Sequence, residues 1–502
     1  MSSDATTLRL RDGSLAGSQA AGAQAGAAHE GAGGALARRH ARIGAGALIV
    51  LVALSLLFVV MAADRPSLFA ATTHSGFFPG WMAGPLGGLW PGLTRNGTEL
   101  RWMFTTMMVA MYAGYLVALR YVPGMRLSAR WAIVTVLAVH AILLLAPPMS
   151  LTDIFNYINY GRMEIVHHLN PYTTLPISEP HSDPSYALSN WHELLSPYGP
   201  LFTLLTFALV PLGVAGAFWA IKSILVLASL GTILLVWRCA RMLDLDPVKS
   251  ILFVGLNPIV IVWGLGGDHN DFLTVFAIVL GFYLLLRARE HDRSGAVGIG
   301  AGAAFVAATA LKASAGILLP IVLVSLLRTP RRLTRILLGM VAAGVVIGAA
   351  SLVAFGLHIP DLSTQSEVVA NESVPNLIGL ALGAGGETET LHTLLTAVLL
   401  LSVIGCCAMA FSRWDSITAS GWATVVLLLT LGWVLPWYIL WLLPLAALSR
   451  SRRLRTTALV LGAYLILAWA PASGLLWSAI GFHPAKTPLG RLHSRYVKEL
   501  LN

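Results

Sequence analysis

The chain has 502 residues, of which 56% are hydrophobic and 11% charged, and its mean hydropathy is +0.74. Soluble globular proteins carry about 25% charged residues, so the composition excludes a soluble globular protein and predicts a chain surrounded by lipid. The net charge is +10, but the basic residues lie mostly in short loops between apolar runs, which indicates cytoplasmic loops of a membrane protein and not a nucleic-acid surface.

Long apolar runs follow one another along most of the chain. A bilayer-spanning helix needs roughly 20 apolar residues, and backbone groups inside lipid must be hydrogen-bonded within the same segment. The runs are continuous and lack the short alternating segments of a membrane β-barrel. The sequence therefore predicts an all-α polytopic membrane protein, a bundle of about 12–14 membrane helices with a large extracytoplasmic loop.

Residues 1–42 are rich in Ala, Gly and Ser and lack hydrophobic periodicity, which predicts a disordered cytoplasmic tail. The first apolar run, 43–62, is too long for a signal peptide and is predicted to be a retained helix. The membrane domain is predicted to cover 43–482 and a basic tail 483–502. Further helices are predicted near 102–119, 131–147, 199–213, 217–238, 250–266, 270–288, 296–311, 313–327, 336–356, 391–411, 417–432, 435–448 and 457–479.

The distribution of Arg and Lys among the loops predicts which side of the membrane each loop faces. Short loops rich in these residues lie on the cytoplasmic side. This rule places the N-terminus inside and the loops 64–100, 148–198 and 357–390 outside. The tip at 267–271 and the region near Lys312 also fall outside, because their hairpins begin and end in basic loops.

One segment conflicts with this topology if it crosses the bilayer. Were 199–213 and 217–238 both to span, the basic loop with Arg238 and Arg241 would lie outside. The charge rule is the stronger guide, so 199–213 is predicted not to cross completely.

Asp153 opens a polar segment just beyond a predicted membrane helix that ends near Pro147 and Pro148. Asp153, Tyr157 and Tyr160 recur at helical spacing, which puts them on one face directed toward a cavity. One interpretation is a general base, which must reach the proton of an attacking hydroxyl. The other is a helix N-cap, a common position for Asp. The two interpretations are compatible.

The second polar cluster is the hairpin tip Gly266-Gly267-Asp268-His269-Asn270-Asp271, between two apolar runs. A turn explains Gly267 and Asp268, but it does not explain His269 and Asp271 together. Asp and His are ordinary metal ligands. A contact to an acceptor or to a phosphate is the favoured interpretation, and neither a metal nor a cofactor is predicted.

Lys312 lies within an apolar stretch without an acidic residue one helical turn away. A cation inside a membrane helix costs about 2.5–3.5 kcal/mol on insertion scales unless it pairs or reaches the interface. Its partner is therefore remote in sequence or is a ligand. A phosphate group fits, because Lys is a common phosphate binder, and reaching toward the membrane surface is the alternative.

Aromatic residues form the last cluster. Trp433, Trp437 and Trp441 recur at helical spacing, and Trp191 lies in the outer loop. An interfacial aromatic belt explains such residues generally, and is favoured for Trp441. Sugars stack on aromatic faces, so Trp191 and Trp437 are candidates for sugar binding.

Two nucleotide-binding signatures are missing from the sequence. It contains no GxxxxGK[ST] motif, which argues against a P-loop ATPase. No GxGxxG follows a predicted strand, and no soluble α/β domain is predicted that would bind a nucleotide sugar. The energy for any reaction must therefore arrive with a membrane-borne substrate or as a gradient.

These clusters resemble those of the polyprenol-phosphate-mannose-dependent α-1,6-mannosyltransferases of actinobacteria, which are GT-C-type membrane enzymes of lipomannan assembly. One departure is Asp268, where the family pattern has Gly directly before the His. The matching segments are Thr152-Asp153-Ile154-Phe155-Asn156-Tyr157 through Gly161-Arg162, Asn170-Pro171-Tyr172, Ser196-Pro197-Tyr198-Gly199-Pro200, Gly267-Asp268-His269-Asn270-Asp271, Lys312-Ala313 and Leu435-Pro436-Trp437-Tyr438.

The resemblance implies roles for individual residues. Asp153 matches the catalytic base at the start of the first large outer loop. Lys312, with Arg162 and His269, is expected to bind the phosphate of the donor. The acceptor or the sugar is expected to contact Asp268, Asn270, Asp271, Tyr157, Trp191, Tyr198, Asn376 and Trp437.

The resemblance also implies an activity. The chain is expected to move mannose from polyprenyl-phosphate-mannose to a mannosylated glycolipid acceptor of the lipomannan type, with inversion. The α-1,6 linkage would form on the outer side of the plasma membrane. A GT-C enzyme for another polyprenyl-phosphate sugar, such as arabinose or glucose, is the alternative. A lipid-linked-sugar flippase or transporter is a further alternative. A residue that pairs with Lys312 from the inward-facing side would favour it.

Overall fold

The structure is a computed structural model that describes residues 37–62, 97–149, 153–290, 295–362, 368–413, 415–479, 481, 483 and 486. The predicted tail up to residue 36, most of the loop 64–100 and most of the predicted C-terminal tail lie outside the described residues. The first helix begins at Ala37, so the last six residues of the predicted tail, including three arginines, are helical.

Helices account for nearly all the regular structure, and the described ranges contain no β-strand. The predicted all-α fold is therefore confirmed. The α-helices are α1 (Ala37–Ala62), α2 (Gly97–Tyr121), α3 (Ser128–Leu145), α4 (Asp153–His167), α5 (Pro200–Leu209), α6 (Gly213–Met242), α7 (Pro247–Gly255), α8 (Asp271–Glu290), α9 (Gly295–Leu311), α10 (Leu318–Ser325), α11 (Pro330–Phe355), α12 (Val374–Ala381), α13 (Glu389–Arg413), α14 (Ser416–Thr430), α15 (Leu443–Ala447), α16 (Arg452–Trp469) and α17 (Ser473–Ala479).

Seven helical segments in the described residues are long and apolar enough to cross a membrane, or eight if the bent pair α16 and α17 forms one span. The prediction of about 12–14 membrane helices counted shorter elements as spans. Four apolar segments of 10–17 residues fall below spanning length: 295–311, 313–325, 416–430 and 436–447.

The short helix α5 corresponds to the segment that conflicts with the predicted topology. Its 10 residues rise only about 15 Å, half the thickness of a bilayer core. A 3₁₀ turn then follows, and Gly213, the first residue of α6, adopts a positive φ of 71°. Together α5 and α6 form one of the seven candidate spans, Pro200–Met242, so the incomplete crossing of 199–213 stays a prediction.

Three interruptions of the helices lie at one end of the bundle. A π-helical segment, Val260–Leu265, leads into the tip before α8. The chain is extended at Lys312, between α9 and a 3₁₀ segment. It is extended again at Leu435, before the 3₁₀ segment Pro436–Trp441. Side chains from all three interruptions meet, because Asp271 accepts hydrogen bonds from Lys312 and Trp441. Irregular backbone within a membrane protein is tolerated where it is buried in protein or lines a cavity.

Close packing of α9 against α11 depends on two glycines. A Cβ on Gly302 would lie 2.0 Å from the carbonyl oxygen of Ile336, and one on Gly339 would lie 1.9 Å from that of Ile299. Small residues of this kind let membrane helices approach through their backbones. The two helices could not keep this separation with any larger residue at either position.

We expect Gly339→Ala to destabilise the protein by about 1–3 kcal/mol, because the added methyl group forces the two backbones apart. The matched control is Gly344→Ala on the same helix, where a Cβ meets nothing within 4 Å. The control is expected to be neutral or to stabilise by up to about 1 kcal/mol, because Ala favours helix. Thermal unfolding in detergent measures both. Equal melting temperatures for the two variants would contradict the proposed packing.

Candidate active site

Asp153 is the first residue of α4 and is buried, with 8% of its surface exposed. Its Oδ2 lies 3.0 Å from Nδ1 of His269, although the two groups are not aligned as a regular hydrogen bond. His269 stacks on Trp437 with ring centroids 3.6 Å apart and an interplanar angle of 11°. The carboxylate is thus held between the start of α4 and a fixed imidazole.

A cavity of about 60 Å³ lies in front of Asp153. It gathers residues from α4, the outer loop, the tip, the Lys312 interruption and the Leu435 interruption. Most of the predicted site residues line it, namely Asp153, Tyr157, Trp191, Tyr198, Asn270, Asp271, Lys312 and Trp437. We call this space the site cavity. Residues from five separate parts of the sequence therefore converge on this cavity.

Lys312 has a partner that the sequence did not identify. Its Nζ donates to Oδ1 of Asp271 at 2.7 Å, and Nε1 of Trp441 donates to the same oxygen at 2.6 Å. The ammonium also lies over the rings of Tyr438 and Trp441, at 4.6 and 4.9 Å from their centroids. An ammonium has three donors, so donors remain for a ligand in the cavity.

Asp268 and Asn270, predicted to contact the acceptor, have different surroundings. The carboxylate of Asp268 accepts from Nζ of Lys222 at 3.2 Å, and Lys222 also donates to the carbonyl of Ala146 at 2.9 Å. Asp268 does not line the site cavity, and its φ of 53° turns the tip. Asn270 does line the cavity, and its backbone N–H donates to the hydroxyl of Tyr157.

Lys222 was missed by the sequence analysis. It lies in the middle of α6 and is completely buried. The signal was present, because a single Lys within an apolar run is costly unless a partner neutralises it. That partner, Asp268, supports the tip from behind rather than facing a substrate.

Arg162 and His269 are predicted to bind the donor phosphate, and in the structure each of them contacts a carboxylate. Arg162 donates through Nε and Nη2 to the carboxylate of Asp183, and His167 lies 2.8 Å from the same group. His269 is buried behind Asp153, and neither residue lines the site cavity. Their contacts indicate positioning of the outer loop and of Asp153 respectively.

The aromatic residues frame the site cavity. Tyr157 packs edge-to-face on Tyr198, with centroids 4.8 Å apart. The indole N–H of Trp191 is buried without a hydrogen-bond partner among the described residues. The backbone N–H of Trp191 donates to Oδ1 of Asn156 on α4. Trp437 stacks on His269, and these rings together form an aromatic wall.

Asn376 was predicted to bind the acceptor, but its contacts are structural. Its side chain donates to the carbonyl of Asn371 at 2.7 Å and accepts from the backbone N–H of Glu387 at 3.1 Å. It is buried and does not line the site cavity. Asn376 therefore fixes the loop that leads into α13.

A larger groove of about 330 Å³ adjoins the site cavity and shares Pro197, Lys312, Trp433 and Tyr438 with it. Apolar residues such as Leu399 and Leu431 form much of its wall. His392 lines it too, and its Nδ1 lies 3.1 Å from the buried carboxylate of Glu387. We call this space the lateral groove. Lys312 is the cation at the junction of the two spaces.

The outer loop is held to α4 by a buried polar cluster. Burial alone would raise the pKa of Asp183, but hydrogen bonds from Arg162, Ser185 and His167 outweigh it and hold that pKa well below its usual range. Glu179 behaves differently, because burial raises its pKa to about 7 against the opposing effects of Asn159 and Arg162. The two carboxyls therefore have opposite effects on how the stability of the loop changes with pH.

The raised pKa of Glu179 predicts how stability changes with pH. A carboxyl whose pKa is higher in the folded than in the unfolded protein stabilises at low pH, and this stabilisation is lost as pH rises through about 7. We expect Glu179→Gln to remove part of the fall in melting temperature between pH 5 and pH 8. Glu193→Gln, in the same loop, is the control. A pH profile unchanged by Glu179→Gln would refute this.

Comparisons with known proteins identify families that the sequence matches. Residues 68–328 match the family model "Alpha-(1->6)-mannopyranosyltransferase, N-terminal domain", and residues 369–483 match the MptB C-terminal domain. The first match alone covers more than half of the chain. No solved structure matches the chain.

Curated relatives are similar over part of their length. Alpha-(1->6)-mannopyranosyltransferase A of Mycobacterium tuberculosis is 29% identical over 363 residues, which is 66% of this chain and 67% of the relative. A second alpha-(1->6)-mannopyranosyltransferase of that organism is 26% identical over 389 residues, 63% of this chain and 65% of the relative. Alpha-(1->6)-mannopyranosyltransferase A of Corynebacterium glutamicum is 31% identical over 188 residues, 36% of each chain.

Proposed function

This chain belongs to the alpha-(1->6)-mannopyranosyltransferase family, and from that premise we propose that it transfers mannose from polyprenyl-phosphate-mannose to a glycolipid acceptor of the lipomannan type. The transfer forms α-1,6 linkages on the extracytoplasmic side of the plasma membrane. The observation that carries the proposal is the meeting of Asp153 and Lys312 in one cavity that continues into an apolar groove.

The lateral groove suits a donor that combines a polyprenyl chain with a phosphate. Its apolar wall offers a surface for the chain, and Lys312 offers a cation for the phosphate at the end nearest Asp153. The groove lies against α13, whose residues are mostly exposed on the outside of the bundle. A lipid-borne substrate bound there would place its sugar in the site cavity.

Asp153 is the proposed general base. Its carboxylate takes the proton from the acceptor hydroxyl while that oxygen forms a bond to the anomeric carbon. The bond from this carbon to the phosphate oxygen breaks, and the phosphate leaves with the electron pair. A single displacement on a β-linked donor gives an α product, so one carboxylate suffices. His269 keeps the carboxylate in place from behind.

Lys312 is the proposed contact for the leaving phosphate. Its ammonium stabilises the charge that grows on the phosphate as the bond breaks. Asp271 and Trp441 fix the position of the lysine without using all its donors. The aromatic wall of Tyr157, Tyr198 and Trp437 is then available to the sugar rings.

A flippase or transporter is less well supported by the same residues. In a transporter, a residue that pairs with Lys312 would be expected on the inward-facing side. The partner of Lys312 is Asp271, which lies in the site cavity itself. Supplying membranes with one radiolabelled polyprenyl-phosphate sugar at a time distinguishes mannose from arabinose and glucose. Transfer from an arabinose donor alone would overturn the proposed sugar.

We expect Asp153→Asn to reduce mannosyl transfer about 10²–10⁴-fold, because an amide is not a base. The amide of Asn has nearly the same shape as the carboxylate of Asp, so α4 should still form. Asp244→Asn is the control, since that side chain is 90% exposed at the opposite end of the bundle. Measured transfer should be normal in the control. Normal transfer by Asp153→Asn would end the assignment of the base.

We expect Lys312→Ala to reduce transfer at limiting donor roughly 10–100-fold, because a charged hydrogen bond to the phosphate is lost. The deficit should shrink as donor concentration rises. Lys312→Arg retains the cation and should lose less. Transfer kinetics with increasing polyprenyl-phosphate-mannose measure the effect. An equal deficit at all donor concentrations in both variants would argue against donor binding by Lys312.

A further inference from the structure

A second cavity lies at the opposite end of the bundle and has a volume of about 550 Å³. Helix α16 connects the two ends. Arg452 at its start lines the second cavity, whereas Nε1 of Trp469 at its end donates to the carbonyl of Val434, next to the site cavity. The 18 residues of α16 rise about 27 Å, close to the thickness of a bilayer core. The second cavity is therefore independent of the proposed reaction.

Four cations surround this cavity: Arg120, Lys249, Arg452 and Arg455. In the described part of the chain, none of them lies within 4 Å of a carboxylate oxygen. Arg455 is fixed in place, because its Nη1 donates to the carbonyl of Ser449 at 2.6 Å.

The two carboxylates of the cavity wall have other partners. Asp246 caps the start of α7 by accepting from the backbone N–H of Lys249 at 3.0 Å. Asp244 is 90% exposed, and its nearest cation is Arg450 at 3.9 Å, which does not line the cavity. Positive charge therefore exceeds negative charge inside the cavity, and an anion would be attracted to it.

The remaining wall is apolar and reaches the surface that faces lipid. Leu119, Phe253 and Leu459 line it on the inside. Leu116 lines it as well and is 40% exposed on the outer face of α2, one helical turn from Arg120. An amphiphile could thus place its charged head among the cations and its chains along this apolar surface.

We infer that the second cavity binds the phosphate head group of an anionic phospholipid from the membrane leaflet opposite the active site. Basic pockets between helices on the cytoplasmic side are suited to such head groups. The chemistry recognised is a phosphate monoanion or dianion attached to acyl chains. The exposed apolar Leu116 beside the cations favours a lipid over a free phosphate ion.

The full-length protein purified in detergent provides the test. Native mass spectrometry is recorded with added phosphatidylglycerol, with phosphatidylcholine and with inorganic phosphate. The wild type is compared with Lys249→Glu/Arg452→Glu and with the control Arg331→Glu/Arg453→Glu. The control changes the net charge equally at exposed residues that do not line the cavity.

We expect the wild type and the control to retain phosphatidylglycerol, and the cavity variant to bind it at least tenfold more weakly. Equal binding by all three proteins, or equal loss in the control, would overturn the inference. So would equal retention of phosphatidylcholine, or displacement of the lipid by inorganic phosphate. Should the Glu variant not fold, Lys249→Gln/Arg452→Gln removes the same cations without adding carboxylates, and unchanged lipid binding by that variant would also overturn it.

Discussion

Charges buried in a membrane bundle must be paired, and here the tip between the π-helical segment and α8 supplies the partners. Asp268 pairs with Lys222 of α6, His269 lies against Asp153 of α4, and Asp271 holds Lys312. Each contact involves a different part of the chain. Removing one partner from a buried ion pair leaves an uncompensated charge and costs about 3–5 kcal/mol. The tip therefore fixes the relative positions of the elements that form the site cavity.

Helix α4 joins this interior network to the outer loop. Asp153, Tyr157 and Tyr160 occupy one face and line the site cavity. Two residues on other faces of the same helix bind the outer loop: Asn156 accepts from its backbone, and Arg162 donates to Asp183. A single helix thus carries the proposed base and holds the loop that covers it. Loop position and carboxylate position are coupled for that reason.

Much of this arrangement could be predicted from the sequence. Polar residues such as Asp153 and Lys312 stand out in apolar surroundings, and the topology of the basic loops puts them at one membrane face. The partners of these residues are harder to predict, because they depend on packing between segments far apart in sequence. Asp271 is 41 residues from Lys312. Arg162 was expected at a phosphate, but its partner Asp183 lies in the irregular outer loop, whose path has no periodic signal.

The number of membrane helices is also hard to predict from the sequence. Segments near Lys312 and Leu435 are apolar enough to suggest spans, and only tertiary contacts reveal that they are interrupted. Lys222 was overlooked because the run around it is otherwise uniform. Conversely, Asn376 looked like a substrate contact but its hydrogen bonds stay within its own loop. Residue type alone does not separate a buried structural amide from one that faces a ligand.

The position of α13 has a consequence for how substrates arrive. This helix carries His392, Thr396 and Leu399 on the wall of the lateral groove, while most of its surface faces away from the bundle. In the described part of the chain, α13 therefore lies between this wall of the groove and the outside of the bundle. A sideways shift of that helix would open the lateral groove within the plane of the bilayer. A water-insoluble molecule could enter and leave by this route while the outer loop stays closed over the reacting groups.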